Sequence, residues 1–98
     1  MAGTRKRSFI KTISQNAPDF LHKLDGERVY LLIENRSTAS VYMQYDNMPA
    51  PDGTEGIEIV AGFKYELWAP FAPANEQIYF IGSLGAALQR LNITEGYR

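Results

Sequence analysis

Few residues in this chain are of a type that does chemistry. Glu58 and Glu66 flank Gly62 at equal distance. If the two segments fold back about that glycine, their carboxylates share a face. Paired carboxylates can bind calcium or share acid–base work. Nothing else completes either site, and Lys64 lies a diagonal step away, so the pair reads as part of a solvated sheet face. His22 is the single histidine. The hydroxyls of Ser8, Thr12 and Ser14 are near it only in sequence, with no nucleophile motif around them, so it reads as exposed and inert. The absence of cysteine excludes disulfides, thiolate metal sites and cysteine nucleophiles. Gly53 and Gly56 enclose Thr54 and Glu55, and no Lys-Ser/Thr follows, so they do not cradle phosphate. The expectation is a non-enzymatic chain with no catalytic residue, no metal and no cofactor.

The side chains left over suit contact with a partner. Trp68 ends an alternating segment and opens Ala69-Pro70-Phe71-Ala72-Pro73, where Trp68 and Phe71 stand beside stiff prolines, as interface anchors often do. Trp68, Phe71, Tyr42 and Tyr79 read first as aromatics that close one end of the core, ahead of an interface and, last, a sugar-stacking platform. Met48, beside Pro49 and Pro51, could pack on a partner. Four of the ten basic residues, Arg5, Lys6, Arg7 and Lys11, fall in the first eleven positions, where no acid occurs. The rest of the chain then carries six bases against eleven acids. A basic arm on an acidic body suits an acidic protein surface, while the body is a poor platform for nucleic acid. The expected contact residues are Arg5, Lys6, Arg7, Met48, Trp68 and Phe71.

The elements that must carry these residues are strands. Val29, Leu31 and Ile33 alternate with Tyr30 and Leu32, and Val41, Met43 and Tyr45 alternate in the same way. The polar residues 35–40 between them suggest an antiparallel hairpin. Residues 46–56 form a loop with turn chemistry at Pro51-Asp52-Gly53. Segments 57–61 and 63–68, hinged at Gly62, suggest a second hairpin with Ile57, Ile59, Tyr65 and Leu67 inward. Residues 77–81 form a strand and 86–94 the last one, although Leu84, Leu88 and Leu91 also fall at helical spacing. Residues 16–19 either cap one helical turn carrying Phe20 and Leu24 or form a loop leading into a strand. Residues 1–14 are a basic arm or an edge strand, and 15–98 a single domain. The whole predicts an all-β antiparallel sandwich or jelly-roll-like barrel of about 6–8 short strands. Apolar residues on both faces of 30–32 and 79–81 require a second covering layer.

With 98 residues, 45% hydrophobic and 21% charged, the chain allows one domain with a thin core. The longest apolar run, Val29–Ile33, is far short of the roughly 20 residues a spanning helix needs. No secretory pattern follows the basic start. Neither a membrane nor a specific nucleic acid is an expected partner.

The run Arg28-Val29-Tyr30-Leu31-Leu32-Ile33-Glu34-Asn35-Arg36-Ser37, then Val41-Tyr42-Met43, Gly56-Ile57-Glu58-Ile59, Gly62, Tyr65-Glu66-Leu67, Ile78-Tyr79-Phe80-Ile81-Gly82 and Ile93-Thr94-Glu95-Gly96, resembles small β-sandwich virion proteins of tailed bacteriophages. The resemblance covers about residues 28–96 and its motifs are structural rather than catalytic; residues 1–27 do not match it. It implies a capsid decoration or cement protein, located in the virion and assembled in the host cytoplasm. Its partner would be the major capsid protein or another virion protein, and it would form a homo-oligomer, for instance a trimer. A head–tail connector or tail accessory protein is the alternative within that class. A small carbohydrate-binding module is the alternative outside it, and would need an exposed aromatic row on one sheet face.

Overall fold

A computed structural model describes residues 5–21, 27–69 and 77–98. Eight strands form: β1 (Arg5–Ile13), β2 (Asp19–Leu21), β3 (Arg28–Asn35), β4 (Val41–Tyr45), β5 (Ile57–Ile59), β6 (Lys64–Trp68), β7 (Ile78–Gly82) and β8 (Gln89–Tyr97). They make two antiparallel four-stranded sheets, β1-β8-β3-β6 and β2-β7-β4-β5. That order is a jelly roll, and the all-β sandwich anticipated above is what the chain adopts. The described residues contain no helix: Leu84 and Gly85 are a turn, and Gln89 begins β8. Residues 19–21, left open between helical turn and strand, are β2.

Two expected hairpins do not form. β3 pairs with β6 and β8, whereas β4 pairs with β5 and β7. β5 and β6 likewise belong to opposite sheets. Each connection is an arch that carries the chain from one sheet to the other. An arch and a hairpin of the same length keep the same inward residues, so alternation alone does not separate them. Asn35 makes the first arch possible. Its side-chain amide donates to the carbonyls of Ala39 (2.9 Å) and Ile59 (2.8 Å), and its Oδ1 accepts from the Ser37 backbone N–H (3.1 Å). This Asx arrangement satisfies backbone groups that a ladder would otherwise satisfy. Among the described residues, the one pairing of consecutive strands is β4 with β5, across loop 46–56.

The core lies between the sheets. Phe9, Ile93, Ile33 and Tyr65 make one inner row, and Asp19, Phe80, Met43 and Ile57 make a row of the facing sheet. Leu31, Ile33, Val41, Met43, Ile78 and Phe80 are fully buried. Two polar contacts tie the sheets along their long sides. Lys11 Nζ reaches Asp19 Oδ2 at 3.0 Å, and the hydroxyls of Tyr45 and Tyr65 meet at 3.0 Å.

Both ends of the core are closed by buried polar groups. At one end Gln89 donates to the carbonyls of Ala39 and Ser40 (2.9 and 2.7 Å) and accepts from the Ser83 backbone N–H (3.0 Å). At the other, Glu95 is fully buried and Arg28 is nearly so. Glu95 Oε1 takes Arg7 Nε at 2.6 Å, and Oε2 takes Arg28 Nε at 2.8 Å. A register shift between Arg28 and Tyr30 places Arg28 opposite Tyr97. The extra residue, Val29, turns Arg28 inward although Tyr30 and Leu32 face out. A bulge re-aims a side chain in this way.

The second covering layer is partly the chain itself. Loop 46–56 folds back along the outer face of β4 and β7. Its Pro51 carbonyl accepts the Leu84 N–H (3.2 Å), and a Cβ on Gly53 would sit 3.0 Å from the Tyr42 hydroxyl. Ile81, on that outer face, is thereby covered.

Gly82 packs its bare Cα against the β1–β2 turn. A Cβ there would lie 2.7 Å from Ser14 Cα, which is backbone and cannot swing away, and would also strike the Gln89 amide oxygen. Gly82→Ala therefore lowers stability by about 1–3 kcal/mol through overpacking. Urea denaturation reads this as a lower midpoint at unchanged slope.

Candidate functional site

The residues expected to act together are distributed over separate surfaces. Glu66 belongs to the outer face of β6 and Glu58 to the outer face of β5, so the two carboxylates sit on opposite broad faces of the sandwich. Glu58 accepts from Ser40 Oγ at 2.6 Å. The facing pair imagined about Gly62 does not exist, because its two strands belong to different sheets. Among the described residues no group of three or more His, Asp or Glu could hold a metal ion. Among the described residues no helix is long and apolar enough to cross a membrane. His22 and Phe71 lie outside the described residues.

The basic start is a strand paired with β8 from Arg5 to Ile13. Of its four charges, Arg5, Arg7 and Lys11 share one parity and Lys6 has the other. Arg5 donates to the Arg98 carbonyl (3.1 Å) and lies over the Tyr97 ring, 4.6 Å from its centre. Arg7 faces inward to Glu95. Lys6 faces out. Met48 is 39% exposed on loop 46–56, on the side of the molecule opposite to Trp68.

Trp68 is 59% exposed and belongs to a groove on the outer face of the β1-β8-β3-β6 sheet. Cross-strand register sets the lining. The first row across the sheet reads Lys6, Gly96, Tyr30, Trp68, and the second Ser8, Thr94, Leu32, Glu66. Gly96 has no side chain and is itself buried beneath its neighbours. Lys6, Val29, Tyr30, Glu66, Trp68 and Thr94 surround an open space of about 530 Å³. The Tyr30 and Trp68 rings are 5.8 Å apart and inclined at 56°, which makes an angled aromatic wall. Tyr30 donates to Glu66 Oε2 at 2.5 Å, and Lys64 Nζ is 3.5 Å from Glu66 Oε1. Thr94 Oγ1 and Ser8 Oγ share a hydrogen bond at 3.0 Å.

The hydrogen bond to Glu66 is the main reason the Tyr30 phenol is pushed up from 10.0 to about 12. Burial and the negative charges of Glu66 and Glu34 add to it. A raised phenol pKa means that the neutral form is favoured in the fold. The stabilisation is complete below the ordinary value of 10.0 and is lost as pH rises through about 12. In ultraviolet difference titration, Tyr30→Phe is expected to remove a tyrosinate step near pH 12 and none near pH 10. Loss of the earlier step would refute the assignment.

A second exposed surface is the end of the sandwich closed by Asn35 and Gln89. The β5–β6 turn is tied to it by Gly62 N–H to the Asn35 carbonyl and Asn35 N–H to the Phe63 carbonyl (3.0 and 2.9 Å). The β7–β8 turn is tied there by Ser83 Oγ to the Ser40 carbonyl. These turns carry Val60 (45% exposed), Phe63 (68%), Leu84 (54%) and Leu88 (67%). Sequence reasoning passed over all four. Phe63 follows the hinge glycine, Leu84 falls in the turn expected at 82–85 and Leu88 at the start of the strand expected at 86–94, with nothing in either pattern to mark them as contacts.

No protein-family model matches the chain, and no curated protein matches it in sequence. Solved structures do resemble it. One is a chain from Bacillus endospore appendages, described as disulfide-linked pili, with TM-score 0.55, 12% identity, and coverage of 97% of this chain and 86% of that one. Another is PirA, with TM-score 0.51, 17% identity, and coverage of 92% and 93%. At these identities the likeness is one of fold: this chain is an eight-stranded β-sandwich of the same kind. Having no cysteine, it cannot make the linkage that names the appendages.

Proposed function

We propose that the chain is a non-enzymatic structural protein of a bacteriophage virion, a decoration subunit that seats on the assembled shell through the apolar end of the sandwich. The observation that carries this is the grouping of Val60, Phe63, Leu84 and Leu88, all exposed, on two turns of one end. An exposed apolar patch of this kind marks a protein contact. Jelly rolls build viral capsid domains among much else, which is support by fold analogy only. The likeness to a pilus subunit supports an assembly role in the same limited sense. A subunit that binds the assembled lattice better than free shell protein stabilises the lattice by linkage.

Quantitative peptide mass spectrometry of purified particles tests the reading. A copy number close to that of the major shell subunit is expected. A copy number like that of a portal or tail ring would move the protein to the head–tail connector or tail machinery. Absence from particles would end the virion reading. Phe63→Ser with Leu88→Ser is expected to release the protein from particles while leaving its unfolding midpoint nearly unchanged. Retention of this variant on particles would exclude the apolar end as the seat.

A further inference from the structure

The groove at Trp68 faces away from the core and shares no lining residue with the apolar end. We infer that it is a binding site for a neutral pyranose of a polysaccharide, stacked on Trp68 and hydrogen-bonded by Glu66, Lys6 and Thr94.

The chemistry of the lining selects that occupant. The indole is more than half exposed, so its flat face is free to take the C–H face of a sugar ring. The Tyr30 ring, tilted beside it, adds a second apolar surface to the wall. Polar groups of three kinds surround the wall. The ammonium of Lys6 donates only, the carboxylate of Glu66 accepts only, and the hydroxyl of Thr94 does either. A sugar hydroxyl can answer each of them. Glu66 is held in place by the Tyr30 hydroxyl, so its orientation is fixed before a ligand arrives.

Charge decides against other occupants. A cation would suit two aromatic rings and a carboxylate, but Lys6 already lines the groove and Lys64 lies beside Glu66. An anion would suit Lys6 but would meet Glu66. A ligand without net charge, bearing both donors and acceptors, is repelled by neither. This site is independent of the virion reading, and either can fail alone.

Trp68 is the single tryptophan, so its emission reports the groove directly. The intact chain is titrated with maltohexaose, cellohexaose, mannohexaose and chitohexaose, and with hexalysine as the cationic control. A saturable blue shift with at least one of the neutral sugars is expected. Calorimetry with that sugar is expected to show Trp68→Ala weaker by about tenfold or more and Tyr30→Phe weaker by severalfold. Phe63→Ser, at the other surface, binds as the parent does, and circular dichroism confirms that each variant folds. Three results would overturn the inference: no shift with any of the four sugars, binding unaffected by Trp68→Ala, or saturation by hexalysine alone.

Discussion

Glu95→Ala lowers the unfolding free energy by about 3–5 kcal/mol, because it leaves a buried charge without compensation. Glu95 is fully buried and Arg28 is 4% exposed. Both Glu95 oxygens are engaged, one by each guanidinium. Removing the carboxylate leaves Arg28 charged inside the sandwich. Arg7, whose side chain is 36% exposed, can turn toward water, so the penalty falls mainly on Arg28. For a domain with about 5–15 kcal/mol in total, the loss is a large part of the whole. The reverse experiment separates charge from shape. Replacing Arg7 and Arg28 by methionine and Glu95 by leucine removes the whole cluster and keeps much of its volume. That triple variant is expected to equal or exceed the parent, since apolar replacement of buried ion clusters is often neutral or gains about 1–4 kcal/mol. Equilibrium urea denaturation checks both. A Glu95→Ala effect below about 1 kcal/mol would mean that water reaches the cluster.

Phe80→Ala is expected to cost about 3–5 kcal/mol, the range for removing a buried aromatic ring. Phe80 is fully buried and stands in an inner row between Asp19 and Met43. Its neighbours belong to a strand ladder and cannot collapse far into the space, which puts the cost toward the upper part of the range. In thermal unfolding each kcal/mol is worth about 4–8 °C for a chain of this size. Phe63→Ala is the contrast. It deletes the same ring at a position 68% exposed, and its effect stays within about 0.5 kcal/mol. Equal losses at the two positions would show that Phe63 is packed in solution, and would remove the apolar end as a docking surface.

These residues also mark how far the sequence could be read. Alternation put Leu31, Ile33, Val41, Met43 and Ile59 inside, and they are inside. Turn chemistry put a loop at 46–56, and it is there. Both are local properties, fixed by a strand's period of two and by the backbone preferences of proline and glycine. Glu95 was partly legible, since it shares the parity of Leu91 and Ile93 and so pointed inward. Its partner Arg28 was not, because without the bulge at Val29 its parity points outward.

The sequence by itself determined the central strands from β3 to β7, most of their inward faces and the absence of cysteine chemistry. Tertiary structure decided which strands are neighbours. Whether residues 35–40 close a hairpin or an arch depends on where β8 lies, and Arg7 meets Glu95 across 88 positions of chain. Only that arrangement sends Glu58 and Glu66 to opposite faces and sets Trp68 and Tyr30 beside Lys6 and Thr94. Pairing of distant strands is settled by burial summed over the whole core, and no window of sequence contains that sum.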